Sequence, residues 1–231
     1  MTEVSLKTPK VPLPIKVRRH EKARNIILRV SPTGKELLLT LPSRISHKRG
    51  LAFVHAQASW ISLQLAQLKT YKDVPIAPGL KLPLFGKECL LVHRPGQRGS
   101  LYTGDRLILG GEPEHFSRRV QDWIKKEARK RWRPLAVRYA EKIGKSVTAL
   151  TLRDTRSRWG SCSVDGKLSL CWRLALAPAD VAHYVIAHEV AHLKHFDHSP
   201  AFWRTVGKLH PNWDAARLWL QQKGKSLHRY C

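Results

Sequence analysis

The chain is poor in acid, in cysteine and in long apolar runs, and each scarcity excludes something. Among 231 residues only 17 are Asp or Glu, against 42 Lys or Arg, which leaves a formal charge of +25. No apolar stretch approaches the roughly 18–20 residues a membrane-spanning helix needs, so an integral membrane protein is not expected. The polar start, Met1 to Lys10, has no apolar core behind it and does not read as a secretory signal. Four cysteines (Cys89, Cys162, Cys171, Cys231) form no CxxC pair and are too sparse for a disulfide framework. Reduced thiols and a cytoplasmic location are the expectation. No glutamate follows Glu189, a scarcity that matters below.

What is present is ordinary globular composition, 42% hydrophobic and 26% charged, in a chain long enough to bury a sizeable core. The positive charge is not a tail: residues 1–112 carry +12 and residues 113–231 carry +13. Such a field attracts nucleic acid, nucleotides or acidic partners, although charge alone defines no site.

Residues 1–15, with Pro9, Pro12 and Pro14 and no periodicity, read as a flexible arm. Two apolar runs around Ser31-Pro32-Thr33-Gly34 predict a hairpin, and the three- and four-residue steps from Leu51 to Leu68 predict a helix over 46–69. Strands are expected at 88–93 and 101–109, completing a β-rich N-terminal region over 16–112. Gly110-Gly111 before Glu112-Pro113 marks the expected boundary. Beyond it, 113–231 opens with a long amphipathic helix, 116–143, whose outer face carries Arg118, Arg119, Lys125, Lys126, Arg129, Lys130, Arg131 and Arg133. Strands at 148–152 and 167–174 and helices near 179–195, 200–209 and 215–222 complete it. Strands and helices are segregated rather than alternating, so the fold class is α+β.

Seven of the twelve histidines lie in the last 49 residues, and His188, His192, His195 and His198 fall within eleven. The run His188-Glu189-Val190-Ala191-His192 puts two imidazoles one helical turn apart on one face, able to share a tetrahedral zinc. Glu189 is offset by about 100° around the helix, outside the coordination sphere but near a water on the metal. A shuffled chain of this composition would hold His-Glu-x-x-His on the order of 0.02 times, so the motif is moderately specific. Val181, Tyr184 and Val185 share the face of the two histidines and continue it as an apolar stripe.

With no later glutamate, the third ligand is sought among His195, Asp197, His198 and Asp214. His198, six residues after His192, has the spacing of the long zinc motif in which the chain bends after the second His. That motif places Gly where this chain has His195, so the bend must form without it. On a continuing helix His195 would lie about 10 Å further along the axis than His188. His198 therefore ranks first, with Asp214 and His195 behind it. Three protein ligands leave one position open, which marks a catalytic rather than a structural zinc, and Glu189 would move protons to and from the water there.

The segment Asp154-Thr-Arg-Ser-Arg158-Trp159-Gly160-Ser161-Cys162-Ser163, the strand 168–172, the run Tyr184 to Leu193 and His198-Ser199-Pro200-Ala201-Phe202-Trp203 together resemble the YgjP-like metallopeptidase family, related to the SprT-like and WLM zinc proteases. Arg24-Asn-Ile-Ile-Leu-Arg-Val extends the likeness to the N-terminal half. The resemblance implies a zincin-like C-terminal domain, Zn2+ on His188, His192 and His198, Glu189 as the catalytic carboxylate, and a peptide or protein substrate. It also implies two alternatives: a uridine-nucleotide pyrophosphatase using the same zinc, and a DNA-associated protease whose helix 118–133 holds phosphates. No Gly-rich phosphate loop accompanies the first alternative.

The Arg156 to Cys162 stretch has two readings. In one, Trp159 packs on the zinc helix and Gly160 permits a tight turn. In the other, Arg156 or Arg158 holds a substrate carboxylate, a phosphate or a developing oxyanion. Cys162 and Cys171 fit buried thiols better than a metal pair. Phe202 and Trp203 fit helix packing better than a nucleic-acid stacking platform. The strand 168–172 is a candidate edge for pairing with an extended substrate.

Overall fold

A computed structural model describes residues 4–8, 11–31, 35–70 and 73–231. The chain divides into two compact units, Met1–Lys72 and Asp73–Cys231.

The first unit is a four-stranded sheet with two helices. Its strands β1 (Val4–Thr8), β2 (Val11–Arg19), β3 (Ile27–Val30) and β4 (Leu37–Leu41) lie in the order β1-β2-β4-β3. β3 and β4 form the antiparallel pair expected around the Pro/Gly turn, with Val30 opposite Leu37; residues 32–34 of that turn lie outside the described residues. The period-2 pattern of β4 turns Leu37, Leu39 and Leu41 inward, where Ile15 and Val17 of β2 meet them. The expected flexible arm is thus corrected, because 4–8 and 11–15 belong to strands. β2 runs parallel to β4 from Ile15 opposite Leu37 to Arg19 opposite Leu41. Pro12 and Pro14 precede that pairing, and the β1–β2 register shifts between Leu6 and Thr8, so the missing N–H groups fall where the ladder is irregular. The helix expected over 46–69 is two, α1 (His47–Ala56) and α2 (Ala58–Thr70), divided at Gln57. The Ser46 hydroxyl caps α1 by accepting from the Arg49 N–H.

The boundary expected at 110–113 lies inside the second unit. Strands β5 (Lys81–Leu84), β6 (Lys87–His93), β7 (Ser100–Tyr102) and β8 (Arg106–Leu109) form a sheet in the order β5-β6-β8-β7. Leu82, Leu84, Leu91, Leu107 and Leu109 of this sheet share one apolar cluster with Val120, Ile124 and Ala128 of α3 (Phe116–Glu141). A glycine pair marks a change of direction, and only shared burial reveals which segments form one core. Gly111, at φ 86°, supplies that change between β8 and α3. α3 continues through Pro134, whose ring lies on the exposed side, and keeps its buried stripe at Phe116, Val120, Ile124 and Ala128.

A second, three-stranded sheet follows, from β9 (Ala149–Arg153), β10 (Gly160–Cys162) and β11 (Lys167–Cys171) in the order β10-β11-β9. The expected strand at 167–174 ends at Cys171, and Trp172–Leu176 is a 3-10 turn. Three helices close the unit: α4 (Ala179–Ala191), α5 (Pro200–Leu209) and α6 (Trp213–Lys223). α4 is buried on nearly every side, from Val181 and Ala182 through Val185, Ile186 and Ala187 to Val190 and Ala191, and lies against β10, β11, α3, α5 and α6. Sheets and helices in separate runs make the fold α+β. No helix among the described residues is long and apolar enough to cross a membrane.

Candidate metal centre

The C-terminal end of α4 carries the candidate site. His188 lies in its last turn and His192 is its C-cap. The chain then bends without a glycine. The N–H groups of Leu193 and Lys194 reach back three residues, to the Val190 and Ala191 carbonyls at 3.0 Å, and the His195 N–H shares the Ala191 carbonyl. These tightened bonds satisfy the last carbonyls of the helix and turn the backbone with no positive φ at 192–198. The His192 ring contributes too: its Nδ1 lies 3.0 Å from the His195 carbonyl. A carbonyl only accepts, so Nδ1 carries the proton and the Nε2 lone pair is free. Asp197 then accepts the Ser199 N–H at 3.4 Å, and Pro200 opens α5, presenting His198 beside the end of α4.

The bend brings together three imidazoles. Ligand nitrogens of His188, His192 and His198 all lie within 4.8 Å of one another. The Nε2 atoms of His188 and His198 are 3.2 Å apart. Two ligands on a tetrahedral zinc, each with a bond of about 2.0 Å, are separated by roughly 3.3 Å. The donor set and its spacing therefore fit such an ion. Neither His195 nor Asp214 joins the cluster: His195 contributes its backbone carbonyl, and the Asp214 carboxylate accepts the Ala215 N–H at 2.8 Å. Burial, the neighbouring imidazoles and the Arg217 guanidinium push His188 down to about 3, and burial also lowers His192. Both rings are held neutral, the form that ligates a metal.

Glu189 is offset by about 100° around α4 from His188 and is 6% exposed. Its carboxyl is pushed up to about 8 by burial, with the Arg158 guanidinium pulling the other way. The wall that covers it is β10. A Cβ built on Gly160 would stand 2.5 Å from Glu189 Oε1 and 2.6 Å from its Cγ. The glycine expected to permit a turn instead leaves room for the glutamate, and its φ is not left-handed.

Other residues of this stretch lie outside the histidine cluster. Trp159 stacks on His228 with ring centroids 5.0 Å apart and lies over Gly224. Arg156 and Arg158 are both exposed; the charge of Arg158 is felt at Glu189, that of Arg156 at His228. Asp154 pairs with Arg173 at 2.7 Å, and Arg173 also donates to the Leu227 and Tyr230 carbonyls. Cys162 and Cys171 are free thiols. Burial, with the Glu189 charge, pushes Cys162 up to about 11, which makes it a poor thiolate. β11 cannot be the substrate-pairing edge, since β10 and β9 occupy both its sides; the outer strand beside Glu189 is β10.

Sequence reasoning missed the role of Gly160 and the ring contacts around the histidines. Phe202 touches all three imidazoles, with centroids 4.9, 4.7 and 4.8 Å from His188, His192 and His198. Trp203 stacks on Trp213 at 4.6 Å under the Arg217 guanidinium. Nothing in spacing announces these contacts, which depend on how α5 and α6 pack on α4.

No curated protein matches the chain. Among solved structures, the crystal structure of the metallopeptidase zymogen of Pyrococcus abyssi abylysin matches 41% of this chain and 93% of its own, at 23% identity and a TM-score of 0.36. The model of the YgjP-like metallopeptidase domain matches residues 24–223, well over half the sequence and including both the His-Glu-x-x-His run and His198. The chain belongs to the YgjP-like metallopeptidase family.

Proposed function

We propose that this protein is a zinc-dependent peptidase whose metal is held by His188, His192 and His198, with Glu189 as its catalytic carboxylate. The observation that carries the reading is the convergence of three imidazoles on one point, one residue from a buried glutamate. Held by these three side chains, a zinc ion would supply Lewis acidity to a scissile carbonyl and would make water a nucleophile at neutral pH. Glu189, whose charged form a zinc ion beside it would favour, would take the proton from the attacking water and return it to the departing amine. Gly160 lets β10 close over Glu189, which shields the carboxylate from bulk solvent. An extended peptide adds to the free edge of β10, antiparallel or parallel, and lies across the same end of α4. Arg158, exposed and electrostatically linked to Glu189, meets that peptide, whereas Arg156 lies towards His228.

The direct test is Glu189→Gln. Cleavage of an unfolded protein should fall at least a thousandfold while one zinc per chain is retained; undiminished cleavage would remove Glu189 from the mechanism. Nucleoside triphosphates assayed beside the protein substrate separate the peptidase from a phosphohydrolase. Phosphate release that depends on Glu189, with no proteolysis, would replace the peptidase reading.

A further inference from the structure

Three imidazoles from two segments of chain must aim at one point, and each ring has a broad, soft χ2 torsion. Metal-binding proteins usually fix such rings by hydrogen-bonding the second ring nitrogen to a carbonyl or carboxylate. That device operates here once. His192 donates from Nδ1 to the His195 carbonyl. His188 Nδ1 is buried with no partner, and among the described residues no protein group hydrogen-bonds the Nδ1 of His198.

What surrounds those two rings is aromatic. Phe202, 0% exposed, lies edge-on to His188 (interplanar angle 78°) and to His198 (71°) and is tilted by 33° on His192. Its centroid distances to the three differ by only 0.2 Å between the longest, 4.9 Å, and the shortest, 4.7 Å. Trp203 adds contacts to His188 at 5.8 Å and His198 at 5.9 Å. It does not touch the remaining histidine by ring contact among the described residues, so it braces the two rings whose Nδ1 is not held by a protein group. Trp203 is itself fixed by its stack on Trp213 and by Arg217, 4.7 Å above its ring. Edge-to-face contacts of this kind are directional, because the positive edge of one ring meets the negative face of another.

We propose that Phe202 is the positioning residue of the metal centre, setting the orientation of His188, His192 and His198 together, with Trp203 as the brace of His188 and His198. This rests on the zinc reading above and deepens it: part of the affinity of the three histidines resides in a ring that never touches the ion. An aliphatic residue of similar bulk fills the same space but has no edge or face to hold an imidazole at a set angle. Phe202→Leu therefore keeps the core filled and loosens the ligands, whereas a residue that merely packs would give the opposite pattern.

The test uses the full chain stripped of metal and titrated with zinc against a chromophoric chelator, and with cobalt(II), whose visible absorption reports tetrahedral ligation. Wild type should bind one ion, with His188→Ala abolishing it. Phe202→Leu should lose tenfold or more in zinc affinity, the range seen when support for a metal ligand is removed, and weaken the cobalt spectrum. Its metal-free melting temperature should change by only a few degrees. Should Phe202→Leu fail to fold, Trp203→Leu, at a half-buried position, is expected to show the same separation with a smaller loss. Wild-type affinity in folded Phe202→Leu or Trp203→Leu, or a loss of metal-free stability with affinity intact, would overturn the proposal alone. Absence of metal binding by wild type would overturn the zinc reading with it.

Discussion

Two neighbouring positions on α4, His188 and Glu189, are accommodated by different means. At the first, His188, with His192 and His198, is crowded by aromatic rings from α5. At the second, Glu189 is accommodated because β10 offers no side chain at Gly160. Residues adjacent in sequence thus depend on elements remote from each other, one supplying bulk and the other withholding it. On the proposed reading, metal binding and proton transfer should therefore be separable properties of one short motif, each open to damage without the other.

The largest separation is expected from His198→Ala. Removing a ligand outright should lower zinc affinity by more than the roughly 10–100-fold typical of lost support, while Glu189 remains buried; chelator competition measures it. Retained affinity would mean that another residue completes the set. The converse is Gly160→Ala. Its methyl group overlaps the Glu189 carboxyl, so kcat should fall about a hundredfold, as a misplacement of about 1 Å is sufficient to cause. Zinc content should not change, and loss of metal together with rate would show the two positions to be one unit.

A smaller effect separates both from the general stability of the unit. Asp154, 44% exposed, is held below the usual carboxylate range first by its hydrogen bond with Arg173, whose own side chain is 6% exposed. A lowered carboxyl contributes stability that is complete above its unfolded value, about 3.9, and is lost as pH falls through the lower folded value. Asp154→Asn should thus cost about 1–2 kcal/mol at pH 7, discounted for exposure. The cost should shrink progressively as pH falls below about 3.9, as chemical denaturation across that range would show. A difference that persists in acid would assign the effect to packing. The smallest change is expected on α3, where Lys126, Arg129, Lys130 and Arg133 are exposed at three- and four-residue steps. Replacing all four by Gln should leave peptidase rate intact and alter stability by less than about 0.5 kcal/mol per site. If this face carries nucleic acid, the same variant will lose DNA affinity and flatten its salt dependence in a binding titration.

The parts legible in the sequence were those with local causes. α5 begins at Pro200 and ends at Leu209, as its apolar spacing predicts, and β3 pairs with β4 across the turn that Pro and Gly announce. The three histidines could be gathered from spacing and from the absence of any later glutamate, because one helical turn and one short bend bring them together. The rest depends on contacts between distant segments. β2 was hidden by its prolines, since which N–H groups a strand uses is set by register. β10 was hidden because Gly-Ser-Cys has no periodicity. The boundary was misplaced because a glycine pair carries no information about a shared core. Gly160 and Phe202 became visible only once β10 and α5 lay against α4.

Gly160 has a consequence for how the protein tolerates change. The requirement at that position is negative, a hollow shaped like part of a glutamate, so every replacement trespasses on the same atoms and chemical similarity earns no leniency. A saturation library should therefore show a flat, uniformly inactive profile at 160 and a profile graded by ring shape at 202.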